Sequence, residues 1–167
     1  DLPRITVVTP AKNAADFIAG AMNSVRAQAY PNVEHIVFDG GSTDGTRDIL
    51  RSYPEVTVIE GLDQGPHDAM NKGVAAATGE IVVFLNADDI FPSGIFPVVS
   101  AQFVDDPEVD IVCGASIVIE DRPLEMARSL VRRDHAKDGG LDFGELFLGA
   151  PAFNVRFFRR SLFERIG

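Results

Sequence analysis

Two adjacent carboxylates directly follow a short apolar run in the middle of the chain. The run, IVVFL at residues 81–85, is followed by Asn86, Ala87, Asp88 and Asp89. An unbroken apolar run of this length fits a strand that is covered on both faces, as in a parallel sheet between layers of helices. Ligands of such sheets bind at the carboxyl ends of the strands, so Asp88 and Asp89 are predicted to face a ligand. A solvated turn or a helix cap is the alternative that this stretch alone leaves open.

Asp88 and Asp89 also offer the hard oxygen ligands that Mg²⁺ and Mn²⁺ prefer. The chain has no GxxxxGK followed by Ser or Thr, and no GxGxxG follows its first predicted strand. A diphosphate bound without such a glycine-rich loop is commonly neutralised by a divalent cation. The two carboxylates are therefore predicted to hold Mg²⁺ or Mn²⁺ beside a diphosphate.

Polar residues also follow the first two predicted strands. Residues 9–13 (TPAKN) come after the first, and Asp39 begins the sequence DGGSTDG after the second. A carboxylate at the end of an apolar strand can accept hydrogen bonds from a base or a ribose, and the two glycines let a backbone approach a flat ligand closely. We therefore expect Asp39 to bind a ligand, whereas Ser42 and Asp44 are interpreted as parts of a turn and a helix cap.

The third predicted strand leads into a loop and helix that hold Asp63, Asp68 and Lys72. A helix that begins near Pro66 directs its backbone amides toward the same edge of the sheet, and Lys72 adds a cation that can meet a phosphate. A place on a solvated helix face is an equally good interpretation of Lys72.

Short apolar runs of strand type alternate with longer segments of helical period. This alternation predicts right-handed crossovers and an α/β fold, with a doubly wound, mainly parallel sheet flanked by helices. Asn13 is the expected N-cap of the first helix, with Phe17 on its apolar face. An irregular excursion is expected at residues 120–149. The predicted strands are 4–9, 33–38, 56–59, 80–85, 110–119 and 152–158, and the predicted helices are 13–29, 43–52, 65–77, 93–103 and 159–166.

The composition narrows the class of protein. The chain has 167 residues, 46% of them hydrophobic and 24% charged, which suits one soluble globular domain. The net charge of −10 opposes nonspecific attraction to nucleic acid. Cys113 lies in an apolar run and is predicted to be a core thiol, and no apolar run is long enough to span a bilayer.

Four strings carry a family resemblance: TVVTPAKN, HIVFDGGSTDGT, DQGPHDAMNKGVAAATGEIVVFLNADD and FFRRSLFERIG. In this order they resemble the family 2 inverting glycosyltransferases of the GT-A fold, a Rossmann-like nucleotide-diphospho-sugar transferase fold, particularly bacterial members that build cell-surface polysaccharides. The resemblance runs from Ile5 to Asp89 and returns at residues 157–167. It implies direct displacement at the anomeric carbon of a nucleoside-diphosphate-sugar donor by a glycan or lipid-linked acceptor, with Mn²⁺ or Mg²⁺ as cofactor.

The resemblance also implies roles for particular residues. Residues 86–88 occupy the family's Asp-X-Asp position, with Asp88 and Asp89 reaching the ribose and the metal. A cytoplasmic protein is expected. Peripheral association with a membrane is an alternative, but dispersed surface charges are the simpler interpretation of the basic residues. The nucleoside pocket is implied to contain Thr9, Pro10, Asn13 and Asp39, and the surroundings of the base or diphosphate to contain Asp63, Asp68 and Lys72.

The chain departs from the family pattern at several places. Gly40 stands where many relatives have a second Asp, so Asp39 is expected to hold the base alone, and Asn86 stands in place of an Asp. The family's catalytic base usually lies beyond the helix that ends this chain, so it is expected beyond Gly167. Asp142 and Glu145 are the weak candidates within the chain, and a surface position is the simpler interpretation of both.

Two other classes of protein remain as alternatives. A noncatalytic nucleotide-binding or scaffolding domain derived from this fold would keep the pocket without sugar transfer. A phosphotransfer domain is disfavoured, because its acidic cluster includes the end of the first strand, which here is Thr9 and Pro10.

Overall fold

The computed structural model describes residues 2–114 and 156–166 of the chain. Within these residues, six strands form one sheet in the order β3-β2-β1-β4-β6-β5. The same described residues also form five helices, which lie between or after the strands. The strands are β1 Ile5–Ala11, β2 Val33–Asp39, β3 Val56–Glu60, β4 Ile81–Phe84, β5 Ile111–Cys113 and β6 Arg156–Arg159, and the helices are α1 Ile18–Arg26, α2 Thr46–Leu50, α3 Pro66–Ala76, α4 Ile95–Asp105 and α5 Arg160–Ile166.

The centre of the sheet is parallel, as the alternation of strands and helices predicts. Strand β1 pairs in parallel with both β2 and β4, so that Ile5 lies opposite Val33 on one side and opposite Ile81 on the other. Strand β3 extends the parallel part beside β2. Strand β6 is antiparallel to its neighbours β4 and β5. The predicted doubly wound, mainly parallel α/β sheet is therefore confirmed, with an antiparallel edge.

Apolar side chains cover the sheet on both faces. Val7 of β1 belongs to a core cluster that includes Ile18 of α1 and Phe96 of α4, all of them fully buried. Val8, the next residue of β1, belongs to a second cluster on the opposite face with Met70 of α3. This double coverage explains the unbroken apolar run of β4, whose four residues are all buried.

A glycine brings α3 close to the sheet. A Cβ atom added at Gly73 would lie 2.3 Å from Cγ1 of Val8, so only glycine allows this approach of the helix to β1. The N-terminal end of α3 is thereby held above the carboxyl ends of the parallel strands.

Three details of the elements differ from the sequence predictions. Helix α1 begins at Ile18, so Asn13 is not its N-cap; Asn13 adopts a left-handed backbone conformation with φ 51° in the preceding loop. Phe17 precedes the helix and is 58% exposed instead of packing in the core. Cys113 is exposed because β5 is the edge strand of the sheet.

Part of the sequence prediction lies outside the described residues. This applies to the end of the predicted strand 110–119, to the excursion at 120–149 and to the start of the strand 152–158. No helix among the described residues is long and apolar enough to cross a membrane.

Candidate functional site

A cavity of about 430 Å³ lies at the edge of the sheet where the parallel strands end. Three loops form it: the segment after β1, the segment between β3 and α3, and the segment after β4. Most residues that the sequence places at these strand ends therefore come together. The cavity is lined by Pro10, Ala11, Lys12, Asn13, Ala14, Phe17, Asp63, Gly65, Pro66, Ala69, Asn86, Ala87 and Asp88.

Hydrogen bonds join the loop after β1 to the loop after β2. The backbone N–H of Asn13 donates to Oγ of Ser42 at 2.9 Å, and the backbone N–H of Thr43 donates to Oδ1 of Asn13 at 2.9 Å. Asn13 therefore lines the cavity and also fixes the adjacent loop through its side chain. Its left-handed backbone conformation is one that asparagine tolerates better than most residues.

Asp44 ties the same two loops together. Its carboxylate accepts hydrogen bonds from the backbone N–H of Ala15 at 2.9 Å and from the backbone N–H of Thr46 at 3.1 Å. The hydroxyl of Thr46 also donates to it and is the main reason that the pKa of Asp44 lies below its ordinary value. Asp44 therefore forms the predicted turn at the start of α2.

Asp39 does not line the cavity, contrary to the expectation that it faces a ligand. Its side chain is fully buried, and it accepts hydrogen bonds from the backbone N–H and the hydroxyl of Ser42. Nε of Arg47 donates to Oδ2 of Asp39 at 2.6 Å. This hydrogen bond raises the pKa of Arg47. The carboxylate at the end of β2 thus organises the loop that follows β2.

The side chain of Thr9 also lies away from the cavity. Its hydroxyl is buried and lies 2.9 Å from Nε2 of His35, a residue of the neighbouring strand β2. Burial lowers the pKa of His35 to about 4, although the nearby charge of Glu55 opposes this shift. His35 is therefore neutral at physiological pH. The side chain of Thr9, predicted to line a nucleoside pocket, instead forms a hydrogen bond with a buried histidine of the sheet.

Asp63 enters the cavity over the end of β2. Its Oδ1 accepts a hydrogen bond from the backbone N–H of Gly65 at 2.9 Å. Its Oδ2 occupies the space in which a side chain at residue 40 would begin, since a Cβ added at Gly40 would lie 2.0 Å from it. The absence of a side chain at Gly40 is thus matched by a carboxylate that reaches the same place from another loop. Asp39 is not the acidic group that faces this part of the cavity.

Asp68 and Lys72 hold the loop that carries Asp63. Nζ of Lys72 donates to the carbonyl oxygen of Leu62 and to Oδ2 of Asp68, both at 2.7 Å. Oδ2 of Asp68 also accepts from the backbone N–H of Gln64 at 2.9 Å. The hydrogen bond with Lys72 is the main reason that the pKa of Asp68 is lowered. Neither side chain lines the cavity. Both affect its shape by holding the backbone of the loop that carries Asp63.

The segment after β4 closes the other side of the cavity. Asn86, Ala87 and Asp88 line it, and Asp88 is exposed. Asp89 is half-buried outside the cavity lining, and its Oδ2 accepts a hydrogen bond from Nδ2 of Asn86 at 3.1 Å. The described residues contain no group of three or more His, Cys, Asp or Glu side chains that could hold a metal ion without help from a ligand.

Lys12 and Phe17 are cavity residues to which the sequence analysis gives no binding role. Phe17 fits the apolar period of the first helix, so its sequence spacing predicts a core position. In the structure α1 starts at Ile18, so the ring lies one residue before the helix, and the helical spacing of the sequence does not show this start. Asp142 and Glu145, the weak catalytic candidates, lie outside the described residues.

The comparisons with known proteins agree with this architecture. The chain is 26% identical to the mannosyltransferase PcManGT from Pyrobaculum calidifontis, solved with GDP-Man and Mn²⁺, and the match has a TM-score of 0.70 over 100% of this chain and 47% of that one. It is 28% identical to glucosyl-3-phosphoglycerate synthase from Mycobacterium tuberculosis, solved with Mn²⁺, UDP and glucosyl-3-phosphoglycerate. That match has a TM-score of 0.57 over 67% of this chain and 43% of the other. The fold is therefore that of the GT-A glycosyltransferases.

The family follows from the sequence matches. The model of glycosyl transferase family 2 matches residues 6–167. A PGL/p-HBAD biosynthesis glycosyltransferase from Mycobacterium bovis is 30% identical over 173 aligned residues, which cover 99% of this chain and 62% of the relative. The chain belongs to glycosyl transferase family 2, and it spans less than two thirds of the length of this relative.

Proposed function

We propose that this chain carries the donor site of a metal-dependent, inverting glycosyltransferase that uses a nucleoside-diphosphate-sugar. The observation that carries the proposal is the cavity at the strand ends, which has Asp63 on one side and Asp88 on the other. Membership of glycosyl transferase family 2 supports the class of reaction. The GDP-Man, UDP and Mn²⁺ bound to the two solved proteins above support the class of donor and of cofactor.

The order of the strands indicates how a donor would lie. Oδ2 of Asp63 is above the end of β2, whereas Asp88 follows β4, and β1 lies between these two strands. Two strand spacings amount to about 10 Å, which is comparable to the length of a nucleoside. We infer that the base lies beside Asp63 and that the diphosphate lies beside Asp88.

The ring of Phe17 suits the nucleoside part of the donor. It lines the cavity, is 58% exposed and packs only partly against its own protein. An exposed aromatic face is a platform on which a base can stack. This stacking does not depend on the identity of the base, so it would add affinity without specificity.

The diphosphate would meet a positive group in the cavity. Lys12 lines the cavity with an exposed side chain. The N-terminal end of α3 lies on the Asp63 side, where the backbone N–H of Gly65 donates to Oδ1 of Asp63 at 2.9 Å.

The carboxylates after β4 fit a divalent cation that is completed by its substrate. Mg²⁺ and Mn²⁺ are commonly bound through one or two carboxylates together with substrate phosphates, and Asp88 with Asp89 supplies such a donor set. When bound, the ion would stabilise charge on the leaving diphosphate. Asn86 holds Oδ2 of Asp89 through a hydrogen bond of 3.1 Å, so one of the two carboxylates is already oriented by its neighbour.

The proposed reaction also needs an acceptor with a free hydroxyl group. The acceptor hydroxyl would attack the anomeric carbon from the face opposite the diphosphate, and the configuration would invert. We assign no catalytic base among the described residues. We also propose a role in polysaccharide biosynthesis, and the name of the mycobacterial relative, a PGL/p-HBAD biosynthesis glycosyltransferase, supports a biosynthetic transfer.

Calorimetric titration of UDP, GDP, ADP and CDP, with and without Mn²⁺, tests the donor site. The expected result is Mn²⁺-dependent binding of at least one nucleotide to the wild type and loss of that dependence in the double variant Asp88→Ala, Asp89→Ala. A matched control is Asp105→Asn, which changes an exposed carboxylate at the end of α4. If the folded protein binds none of the four nucleotides, the proposed function is wrong. Nucleotide binding without any transfer of sugar from a nucleoside-diphosphate-sugar would favour the noncatalytic alternative.

A further inference from the structure

Asp63 and Gly40 form a structural pair at the nucleoside side of the cavity. The Asp63 carboxylate fills the space that a side chain at residue 40 would need, with Oδ2 at 2.0 Å and Cγ at 3.0 Å from an added Cβ. The backbone φ of Gly40 lies outside the left-handed region that favours glycine. Space for Asp63, and not backbone conformation, is therefore the reason that this position suits a glycine.

The carboxylate is held in one orientation. Its Oδ1 accepts the backbone N–H of Gly65, and the residues on either side of Asp63 are fixed by Lys72 and Asp68 through the carbonyl of Leu62 and the N–H of Gln64. Within residues 2–114 and 156–166, Oδ2 receives no hydrogen bond from the protein. Oδ2 of Asp63 is therefore an oriented hydrogen-bond acceptor in the cavity wall that a ligand can contact.

We propose that Oδ2 of Asp63 selects the nucleobase of the donor by accepting a hydrogen bond from a ring N–H. This inference rests on the proposed function, because it assumes that the cavity binds a nucleotide with its base on the Asp63 side. A carboxylate accepts hydrogen bonds and donates none. Uracil N3–H and guanine N1–H are donors on the Watson–Crick edge, whereas adenine N1 and cytosine N3 present lone pairs there. Asp63 therefore favours uridine and guanosine nucleotides over adenosine and cytidine nucleotides.

Nucleotides that lack the donor hydrogen test the contact directly. The titration compares UDP with 3-methyl-UDP and GDP with 1-methyl-GDP in the presence of Mn²⁺, on the wild type, Asp63→Asn and the control Asp105→Asn. A hydrogen bond to a charged group supports a loss of about tenfold or more in affinity on methylation. We expect that loss in the wild type and in Asp105→Asn, and a loss of less than about threefold in Asp63→Asn, because the charged acceptor is gone.

The Gly40 contact supplies a second test that does not change Asp63 itself. A methyl group in Gly40→Ala would displace the carboxylate, so this variant is expected to lose the preference of the wild type for the unmethylated nucleotide. In the Asp63→Ala background the same substitution meets no carboxylate and should change nucleotide affinity little. This double-mutant comparison separates displacement of Asp63 from general damage to the cavity.

The outcomes distinguish the two proposals. Nucleotide binding whose sensitivity to base methylation is the same in the wild type and Asp63→Asn would overturn the role of Asp63 and leave the donor site intact. Preferred binding of ADP or CDP by the wild type would also overturn it. Binding of no nucleotide by the folded protein would overturn the donor site and this inference together.

Discussion

Nε of Arg47 lies 2.6 Å from Oδ2 of Asp39, and neither residue of this ion pair lines the cavity at the strand ends. The Asp39 side chain is fully buried, whereas the Arg47 side chain is 36% exposed. Nη1 of Arg47 also lies 3.3 Å from Oε2 of Glu60 at the end of β3. The arginine thus joins the end of β2 to the end of β3, and the loop after β3 carries Asp63 into the cavity.

Replacing Arg47 with methionine should destabilise the fold. The variant leaves the buried Asp39 carboxylate without its cation, so the free energy of unfolding should decrease by clearly more than in the control variant. Urea denaturation measures it. Arg51→Met is the control, because the ion pair of Arg51 with Asp48 is about three-quarters exposed and should contribute less than about 0.5 kcal/mol. Equal effects of the two substitutions would contradict the structural role of the Asp39–Arg47 pair.

His35 should make the stability depend on pH. The pKa of His35 is lowered to about 4 in the folded protein, against 6.5 when exposed. Between about pH 4 and pH 6.5 the imidazole is therefore protonated in the unfolded chain but neutral in the folded one. The contribution of His35 is therefore fully present above pH 6.5 and is lost as the pH falls. Between pH 7.5 and pH 4.5 the loss should be roughly 2 kcal/mol.

His35→Gln provides the comparison, because glutamine can bond to Thr9 and does not titrate. Urea denaturation of both proteins across this pH range measures the difference. The wild type should lose more stability than the variant, since other acidic groups affect both equally. Parallel pH profiles would show that His35 gains its proton as readily in the folded state as in the unfolded state.

Phe17→Ala should weaken nucleotide binding with little effect on stability. Stacking of a base on an aromatic ring contributes about 1–3 kcal/mol, so the dissociation constant for the preferred nucleotide should rise about tenfold or more. Because the side chain is 58% exposed, the free energy of unfolding should change by less than about 1 kcal/mol. Phe17→Tyr should bind as the wild type does. Val98→Ala, at a residue that is 63% exposed on α4, is the control for loss of exposed apolar surface.

Lys72→Met should loosen the loop that carries Asp63 without removing a group from the cavity. The variant loses the hydrogen bonds of Nζ to the Leu62 carbonyl and to Asp68, each 2.7 Å long. The loop would then become ordered around Asp63 only when a nucleotide binds, and this ordering opposes binding. Nucleotide affinity should therefore fall several-fold, while its sensitivity to base methylation persists. Calorimetry measures both. Complete loss of affinity would indicate that Lys72 itself contacts the nucleotide.

The sequence predicted the fold well because its signal is local. The apolar runs of β1, β2 and β4 and the helical period of α3 each predict one element, and their alternation predicts the parallel sheet. The predicted donor residues Pro10, Asn13, Asp63 and Asp88 line one cavity, since strand ends of a parallel sheet meet at one edge.

Two predicted site residues have side chains that point away from the cavity. Asp39 and Thr9 stand at the correct strand end but face Arg47 and His35, because neighbouring loops and strands supply partners that the local sequence does not show. The local sequence also does not show why residue 40 is a glycine. Its relation to Asp63 joins positions 23 residues apart through a space that only the folded chain defines.

The central claim is that the cavity binds a nucleoside diphosphate with the base near Gly40 and the diphosphate near Asp88. Backbone amide signals in ¹⁵N NMR spectra, recorded with the preferred nucleotide and Mg²⁺ and then with Mn²⁺ added in small amounts, test it most directly. Signals from both sides of the cavity should shift on nucleotide binding, and the paramagnetic Mn²⁺ should broaden Ala87 and Asp88 more than Gly40 and Asp63. Stronger broadening of Gly40 and Asp63 than of Asp88, or nucleotide-induced shifts confined to residues outside the cavity, would contradict the claim.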